Sequence, residues 1–388
     1  MDMALSPQAT AAGLLSGFVG FSSSFAIVVA GLTAVGASQQ EVTSGLMAAS
    51  LAMGLCTIFL SLKYRLPISI AWSTPGAALL ATGAAPEGGF AVAVGAFLVC
   101  GVLIVLAGSV KTLGRWVSSI PSPLANAMLA GVLLPLCLAP VKAVGQFPLF
   151  GLAIVIAWAV VGRINRLLAM PAAVVVTIAG IALTSDVGMA ELGNLWPDPV
   201  VVVPQFTLTG VIGIALPLFI VTMASQNIPG MAVLNANGYH PDPNPLFRWT
   251  GLFSILGAPF GSHAVNLAAI TAALCANEEA HPDPAKRWQA AVVAGSVYVL
   301  FGLGAGAATA FISASPPILI EAVAGLALLG ALGASLMGAV SDSTHREAAL
   351  ITFLTTASGV AFFGVSGAFW GLLAGGAMMA LGKIGRKS

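Results

Sequence analysis

Apolar stretches recur along this chain from Ala9 almost to its C-terminal end. Many of them reach the roughly 20 residues that a helix needs to span the hydrocarbon core of a bilayer. Charged residues make up only 7% of the 388 residues, whereas soluble domains carry roughly 25%. The sequence therefore predicts one integral membrane domain and excludes an ordinary soluble one. A net charge of +1 gives no indication of a nucleic-acid partner.

The apolar pattern divides into about fourteen membrane segments. The first seven are 10–35, 42–62, 67–84, 89–109, 123–141, 147–163 and 170–185. The second seven are 207–235, 245–260, 262–276, 286–312, 316–340, 346–363 and 366–383. With this division, Lys142 is the one basic residue of 14 that falls outside the cytoplasm. The positive-inside rule then predicts an inner-membrane protein with both termini cytoplasmic.

The third segment does not read as an uninterrupted helix. Ile68–Trp72 is rich in β-branched and aromatic residues, which favours an extended strand. Ser73-Thr74-Pro75 follows with a hydroxyl cap and a proline in the first turn, the pattern of a helix start. A strand and a half-helix at membrane depth require protein around them, and they are typical of a transporter binding site.

Two pairs of similar stretches indicate an internal repeat. The stretch from Pro67 resembles the one from Pro259, and the stretch from Pro123 resembles the one from Pro317. The offsets are 192 and 194 residues, close to half the chain. Seven segments in each half would place the second copy upside down in the membrane. The fold class predicted is an all-α polytopic membrane protein of 7+7 inverted repeats, in which segments three and ten are broken and each is preceded by a short strand.

The two broken segments define a candidate binding site. Their extended parts, about 68–72 and 260–264, are expected to pair as antiparallel strands near the membrane centre, and two half-helix N-termini would then face one small space. Such N-termini favour an anion. The candidate ligands nearest to them are Ser73, Thr74, His263 and Asn266, although Ser73, Thr74 and Asn266 could also be helix caps. Trp72 could stack on an aromatic substrate or pack in the interior.

Two further polar stretches belong to the candidate site. Gln226 and Asn227 are adjacent amides before a Pro-Gly pair in the eighth segment, where polar groups are costly unless they face polar contents. An interhelical hydrogen bond is the alternative explanation. Ser22 and Ser23 occupy the matching place in the first segment and could contact a ligand or be small packing residues.

Several motifs resemble the BenE family of benzoate/proton symporters across essentially the whole chain. They are AWSTPGAA at 71–78, SQNIPGM at 225–231, NANGY at 235–239, AVNLAAI at 264–270 and HPDPAKRW at 281–288. The resemblance extends in fold to nucleobase/proton symporters and to sulfate and bicarbonate carriers. It implies a core domain (1–120 and 206–313) and a gate domain (121–205 and 314–388). Nucleobase carriers have acidic residues at the site, whereas this chain has amides, and this departure suits an anionic substrate.

Three residues are candidates for proton coupling. His263 lies at the site and titrates near physiological pH, so its imidazolium would attract a carboxylate and its neutral form would release it. Glu321 is second, as an acid expected in the opening turn of segment twelve and facing the core; a helix-start charge is the alternative. Asp342, after the same segment, is third, and capping or gating at the cytoplasmic end is its alternative role.

The function predicted is proton-coupled import of benzoate or a related aromatic carboxylate by alternating access, without a catalytic activity, metal or cofactor. The expected partners are the carboxylate, the proton and membrane lipid, with a homodimer left open. Another small anion, such as sulfate, bicarbonate or a purine-like anion, is the first alternative. An intramembrane enzyme and a passive channel are the others, and no acid pair, histidine cluster or nucleophile–base set supports the enzyme.

Overall fold

Helices make up most of the computed structural model, which describes residues 5–110, 121–166, 168–184, 196–313, 316–360, 362 and 367–384. The predicted connections at 111–120 and 185–195 lie outside this part of the chain. The helices of the first half are α1 (Pro7–Ser22), α2 (Phe25–Ala34), α3 (Gln39–Tyr64), α4 (Thr74–Ala81), α5 (Phe90–Ala107), α6 (Ser122–Cys137), α7 (Ala139–Gln146), α8 (Pro148–Ile164) and α9 (Ala169–Thr184). Strand β1 (Ile70–Trp72) precedes α4.

The second half begins with α10 (Leu208–Ala236), a long helix that contains two π turns, Val211–Ala215 and Met223–Asn227. The helices after it are α11 (Pro243–Gly257), α12 (Ile270–Ala276), α13 (Trp288–Leu303), α14 (Ala305–Ser313), α15 (Pro317–Val340), α16 (Arg346–Ala357) and α17 (Gly367–Ile384). Strand β2 (Val265–Leu267) precedes α12. Each broken segment therefore consists of a strand followed by a short helix, as the sequence predicts.

Each of the fourteen predicted segments contains a helix. Six helical stretches of the described residues, two of which join neighbouring helices (α1 with α2 and α6 with α7), are long and apolar enough to cross a membrane: Pro7–Ala34, Gln39–Tyr64, Phe90–Ala107, Ser122–Gln146, Leu208–Ala236 and Pro317–Val340. The number of crossings stays a prediction. The first segment, expected as one helix, is interrupted at Ser23 and Ser24 between α1 and α2.

The two strands pair antiparallel and join the halves of the chain. Ile70 lies opposite Leu267, Ala71 opposite Asn266 and Trp72 opposite Val265. The strands begin 195 residues apart, at Ile70 and Val265, which agrees with the offsets of the sequence repeat. The predicted antiparallel pairing is therefore present.

The predicted position of the second strand, 260–264, is wrong. Ala258–Phe260 forms a 3₁₀ turn, and Gly261 follows with a φ of 90°, a left-handed conformation that glycine adopts without strain. A Cβ at this position would lie 3.3 Å from the Cα of Gly45 and 3.2 Å from the Phe90 ring. The tight packing against α3 and α5 fixes the turn here, so the strand starts only at Val265.

Helix packing follows the two predicted domains in large part. Within the segments assigned to the core, α13 packs on α1 and α3, and α5 packs on α11. Within those assigned to the gate, α6 packs on α15 and α16, and α8 on α9. The groups meet where α4 contacts α6 and α2 contacts α15. The largest apolar cluster has members in both groups, so the division itself stays a prediction.

Candidate functional site

Ser73 caps helix α4 at the centre of the structure, as the sequence predicts. Its hydroxyl accepts a hydrogen bond from the Gly76 amide at 3.2 Å, and its carbonyl accepts one from the Ala77 amide at 2.7 Å. Pro75 has no amide hydrogen that would need a partner. The first turn of α4 is therefore largely satisfied by Ser73 itself, and Thr74 is the partly exposed polar side chain at this end.

Thr222 is a member of the site that the sequence analysis missed. Its hydroxyl donates to the Ser73 hydroxyl at 2.8 Å, and both residues are fully buried. A threonine in an apolar helix gives no sequence signal, because its hydroxyl commonly bonds a carbonyl of its own helix. The contact attaches α10 to the N-terminal end of α4.

The π turn Met223–Asn227 follows directly and carries the two predicted amides. The Asn227 side-chain oxygen accepts the Leu267 amide of β2 at 2.9 Å, and Asn227 is fully buried. Gln226 is partly exposed and has no hydrogen-bond partner among the described residues. Thus α10 is held to α4 by Thr222 and to β2 by Asn227, and Gln226 stands between these two contacts. Single π turns are frequently found at functional sites.

His263 connects the second broken segment to the first. Its Nε2 lies 3.1 Å from the Ser73 carbonyl oxygen, and its ring packs edge-on to Phe97 with centroids 6.5 Å apart. The Ser73 amide donates to the Ala264 carbonyl at 2.9 Å. His263 is 1% exposed. It therefore lies behind the cap of α4 and is shielded from the surroundings.

Asn266 does not cap the second half-helix. It lies in the middle of β2, opposite Ala71, and the cap position of α12 is taken by Ala269, whose side chain makes no capping bond. The Asn266 amide nitrogen donates to the Leu267 carbonyl at 3.0 Å, while its side-chain oxygen has no partner among the described residues. The displaced start of β2 explains the difference, because it moves Asn266 from a helix end into a strand.

Trp72 packs in the core. Its indole N–H donates to the Ser24 hydroxyl at 2.8 Å, and its ring lies 5.4 Å from that of Phe21. Ser22 is buried too, and its hydroxyl has no partner in the described part of the chain. Ser23 is partly exposed, and its hydroxyl donates to the Gly20 carbonyl at 3.4 Å. A substrate could reach Ser23 here, but not the indole ring of Trp72.

The predicted site residues thus fall into two sets. The accessible set, whose side chains are partly exposed, is Ser23, Thr74 and Gln226. The framework set, whose side chains are buried, is Ser22, Trp72, Ser73, Asn227, His263 and Asn266. Contacts to Ser73 join the framework residue His263 and the buried Thr222, and the accessible residues Thr74 and Gln226 lie beside framework residues in the sequence. The arrangement offers hydroxyl and amide groups to a ligand. It also places the titratable ring of His263 against the Ser73 carbonyl, in the peptide that precedes Thr74.

The other two proton candidates lie elsewhere. Glu321 is exposed and follows the first turn of α15, so its expected place in the opening turn is wrong, and its facing the core stays a prediction. Asp342 lies between α15 and α16, where its carboxylate bonds His345 Nδ1 at 2.6 Å and accepts the Thr344 amide at 2.8 Å. The hydrogen bond from His345 is the main reason that the pKa of Asp342 is below its ordinary value.

Arg287 and His263 are the two buried basic residues in the described part of the chain. Its guanidinium donates to the Ala276 carbonyl at 2.8 Å and to the His281 carbonyl at 2.7 Å. Ala276 is the last residue of α12, where carbonyl groups lack helical partners and favour a positive charge. Arg287 therefore anchors the far end of the second half-helix.

Comparisons with known proteins give one consistent result. The profile of the benzoate membrane transport protein family, BenE, matches residues 3–381. The inner membrane protein YdcO of Escherichia coli is 42% identical over 373 residues, which cover 95% of this chain and 94% of the relative. The benzoate membrane transport protein of Acinetobacter baylyi is 33% identical over 371 residues, with 95% and 93% coverage.

Among solved structures, the transmembrane domain of a cyanobacterium bicarbonate transporter, BicA, has a TM-score of 0.59 at 15% sequence identity and covers 96% of both chains. At this identity the likeness establishes the fold alone. It confirms the predicted helical fold of inverted repeats, shared with anion transporters, for this chain.

Proposed function

Because the chain belongs to the BenE family of benzoate membrane transport proteins, we propose that it imports benzoate or a closely related aromatic carboxylate together with a proton. Membership makes it a multi-pass membrane carrier of a benzoate-like substrate and not an enzyme. The observation that carries the finer proposal is the accessible set, of which Thr74 and Gln226 have polar side chains without a hydrogen-bond partner among the described residues, Thr74 at the start of the half-helix α4.

The carboxylate binds at the N-terminal end of α4. Thr74 and Gln226 have no hydrogen-bond partner among the described residues, so each can donate to a carboxylate oxygen without breaking an existing bond. The partial positive charge at the start of α4 adds to the attraction. Carboxylate side chains would repel this substrate, and the candidate binding residues Ser23, Thr74 and Gln226 include none.

The framework set holds this arrangement in place. Thr222 and His263 both bond Ser73, and Asn227 bonds the backbone of β2. A binding site in a low-dielectric interior needs such support, because a displaced polar group loses its interaction with the ligand. Trp72 and Asn266 contribute to the framework, and we assign them no direct contact with the substrate in this conformation.

Alternating access follows from a movement of the core domain (1–120 and 206–313) against the gate domain (121–205 and 314–388). The helices pack mainly within these groups, and α2 meets α9 and α15 at a small cleft lined by Phe25, Ala26, Val174, Thr177, Ile320 and Val323. A boundary between two packed groups of helices is where the groups can slide or rock against each other.

His263 carries the proton that is imported together with the carboxylate. It is buried beside the proposed anion site, and its charge state would determine how strongly the site attracts a carboxylate. Glu321 is exposed on α15 and Asp342 lies between helices, so neither adjoins the accessible set in the way that His263 does.

The test is the initial rate of radiolabelled benzoate uptake into proteoliposomes with an alkaline interior. Protein-free vesicles are the essential control, because neutral benzoic acid crosses bilayers unaided. We expect a saturable, protein-dependent rate that falls when the pH gradient is collapsed. A rate equal to that of protein-free vesicles would refute benzoate transport. Competition by sulfate or bicarbonate but not by substituted benzoates would assign another anion to the same site.

A further inference from the structure

The geometry around His263 points to the atom that takes the proton and to the group that links it to the substrate. We propose that His263 Nδ1 accepts the proton and that the Ser73 peptide, held by His263 Nε2 on one side, transmits the resulting charge to a carboxylate bound at Thr74 on the other. This assignment rests on the proposed function and deepens it.

The tautomer follows from the neighbour of Nε2. A backbone carbonyl oxygen only accepts hydrogen bonds, and the Ser73 oxygen lies 3.1 Å from Nε2. Nε2 must therefore carry a hydrogen in the neutral ring as well as in the charged one. The neutral ring then has its lone pair on Nδ1, which is the nitrogen that remains to be protonated.

Nδ1 is free to take that proton. It is buried, and it has no hydrogen-bond partner among the described residues. A buried polar atom without a partner is uncommon and costs free energy, so it calls for an explanation. Proton binding supplies one: in the transport cycle the lone pair accepts H⁺ when the site opens to one side of the membrane and returns it when the site opens to the other. The reaction is imidazole plus H⁺ giving imidazolium, with no other bond made or broken.

Few other titratable side chains near His263 could bind the proton in its place. The elements around it are β1, α3, α4, α5, α10 and α11. Their titratable side chains are Glu41, Cys56, Lys63, Tyr64, Cys100 and Arg248. Lys63 and Arg248 are exposed, and Glu41 is partly exposed and engaged by the Ser38 cap of α3 at 2.7 Å. Cys56 and Cys100 are fully buried thiols, which pack as small apolar side chains.

Coupling then arises from simple electrostatics. An imidazolium behind the N-terminus of α4 adds positive charge to the positive end of a helix, which is unfavourable without an anion. A carboxylate at Thr74 removes this penalty, so each ligand strengthens the binding of the other. The mutual dependence of proton and anion is what symport requires.

Two substitutions separate the roles of the two nitrogens. In His263→Gln the amide nitrogen can occupy the Nε2 position and keep the bond to Ser73, but it cannot take a proton. In His263→Asn the amide reaches only the Nδ1 position, and the bond to Ser73 is lost. His281→Gln is the matched control, because His281 is a partly exposed histidine in a loop outside the accessible and framework sets.

Isothermal titration of the full-length purified proteins with benzoate, in buffers of different ionisation enthalpy, counts the protons taken up on binding. We expect wild type and His281→Gln to take up about one proton per benzoate at pH values where His263 is uncharged in the benzoate-free protein. In that pH range, benzoate affinity should fall about tenfold per pH unit. His263→Gln should bind benzoate with no proton uptake and no such pH dependence, and His263→Asn should bind it weakly.

Proton uptake in His263→Gln equal to wild type would overturn the assignment and leave the transport proposal standing. Wild type that binds no benzoate would instead refute the proposed function. Nitrogen NMR of a His240→Gln/His281→Gln/His345→Gln protein, in which His263 is the remaining histidine of the four, gives an independent readout on a folded protein with an intact site. We expect the Nε2–H form without benzoate and both nitrogens protonated with it; the Nδ1–H form, or no response to benzoate, would overturn the assignment.

Discussion

At the scale of single residues, the polar side chains of the site do two kinds of work. Neighbours in sequence are divided between them: Thr74 is accessible while Ser73 is buried, and Gln226 is accessible while Asn227 is buried. Burying a polar group costs free energy unless it is paired, whereas an accessible group remains available to a ligand. Burial therefore separates residues that sequence alone treats as one motif.

The adjacent amides allow a direct test of this division. Gln226→Ala removes a proposed contact to a carboxylate, which is worth about 1.5–3 kcal/mol, so benzoate affinity should fall about tenfold or more while the melting temperature stays unchanged. Asn227→Ala leaves the buried Leu267 amide unpaired and should lower the stability by about 1–3 kcal/mol. Calorimetric titration and thermal melting in detergent measure the two effects.

Asn235→Ala is the control for this pair, because Asn235 lies exposed near the end of α10 and bonds the exposed His240. It should change neither affinity nor melting. Equal loss of stability in Gln226→Ala and Asn227→Ala would contradict the division into two sets.

Asp342 is less suited to proton transport than its position suggested. The hydrogen bond from His345 lowers the pKa of Asp342, so the carboxylate remains ionised throughout the neutral range. We therefore expect Asp342→Asn to leave proton uptake per benzoate at the wild-type value. Because the pKa is lowered in the folded protein, the carboxylate stabilises the fold above its unfolded pKa, and this contribution is lost as the pH falls through the folded pKa.

The stability difference between wild type and Asp342→Asn should accordingly be largest near neutral pH and shrink on acidification below about pH 4. Melting curves over that range measure it. A difference that grows in acid, or proton uptake that disappears in Asp342→Asn, would return Asp342 to the transport mechanism.

At the scale of helices and strands, the sequence predicts those features that depend on neighbouring residues. The cap at Ser73 and the break before α4 depend on neighbouring residues, so Ser73-Thr74-Pro75 was sufficient to predict them. The start of β2 depends on the packing of Gly261 against Gly45 and Phe90, which are distant in sequence. That contact displaced the strand and with it the role of Asn266.

The partner of Ser73 was hidden for the same reason. Thr222 acquires its role because α4 lies beside it, and nothing in its own segment indicates this. Its helix also contains a π turn, which changes the direction of the side chains after it and which no pattern of apolar residues indicates. The sequence thus predicted which stretches form the site, and the fold decided which side chains face it.

Close contact between α10 and β2 depends on a glycine. A Cβ at Gly230 would lie 2.6 Å from the Leu267 Cβ, closer than such atoms approach in folded proteins. Gly230→Ala should force the two elements apart and lower stability by about 1–3 kcal/mol, with a comparable weakening of benzoate binding. Thermal melting and titration are the measurements.

Gly330→Ala serves as its control, because Gly330 lies within α15 and no atom lies within 4 Å of the position its Cβ would take. Alanine favours a helix over glycine by about 1 kcal/mol, so this variant should be as stable as wild type or slightly more so. Similar melting of Gly230→Ala and wild type would show that α10 and β2 are not held at this distance.

At the scale of the whole molecule, the proposed movement of core against gate depends on contacts that must change in each cycle. Ala26 on α2 and Val323 on α15 line the same small cleft at this boundary. Joining Ala26→Cys to Val323→Cys with a short reducible cross-linker should reduce benzoate transport to the rate of protein-free vesicles, and reduction should restore it.

Asn126→Cys with Gly338→Cys forms the control pair, because these positions are in contact and both lie in the proposed gate domain. Cross-linking them should leave transport active. The native residues Cys56, Cys100, Cys137 and Cys275 are buried and should be replaced or shown to be unreactive. Full activity of the cross-linked Ala26–Val323 pair would place the moving boundary elsewhere.

The pairing of β1 with β2 also has a consequence for how the protein is made. The partner of Ile70–Trp72 lies 195 residues further along the chain, and at about 5–20 residues per second the ribosome needs roughly 10–40 s to supply it. Until then the backbone of the first strand has no partner in a lipid environment that offers none. The nascent first half must therefore remain beside the insertion machinery, and a chain truncated before Val265 should be degraded unless the second half is produced with it.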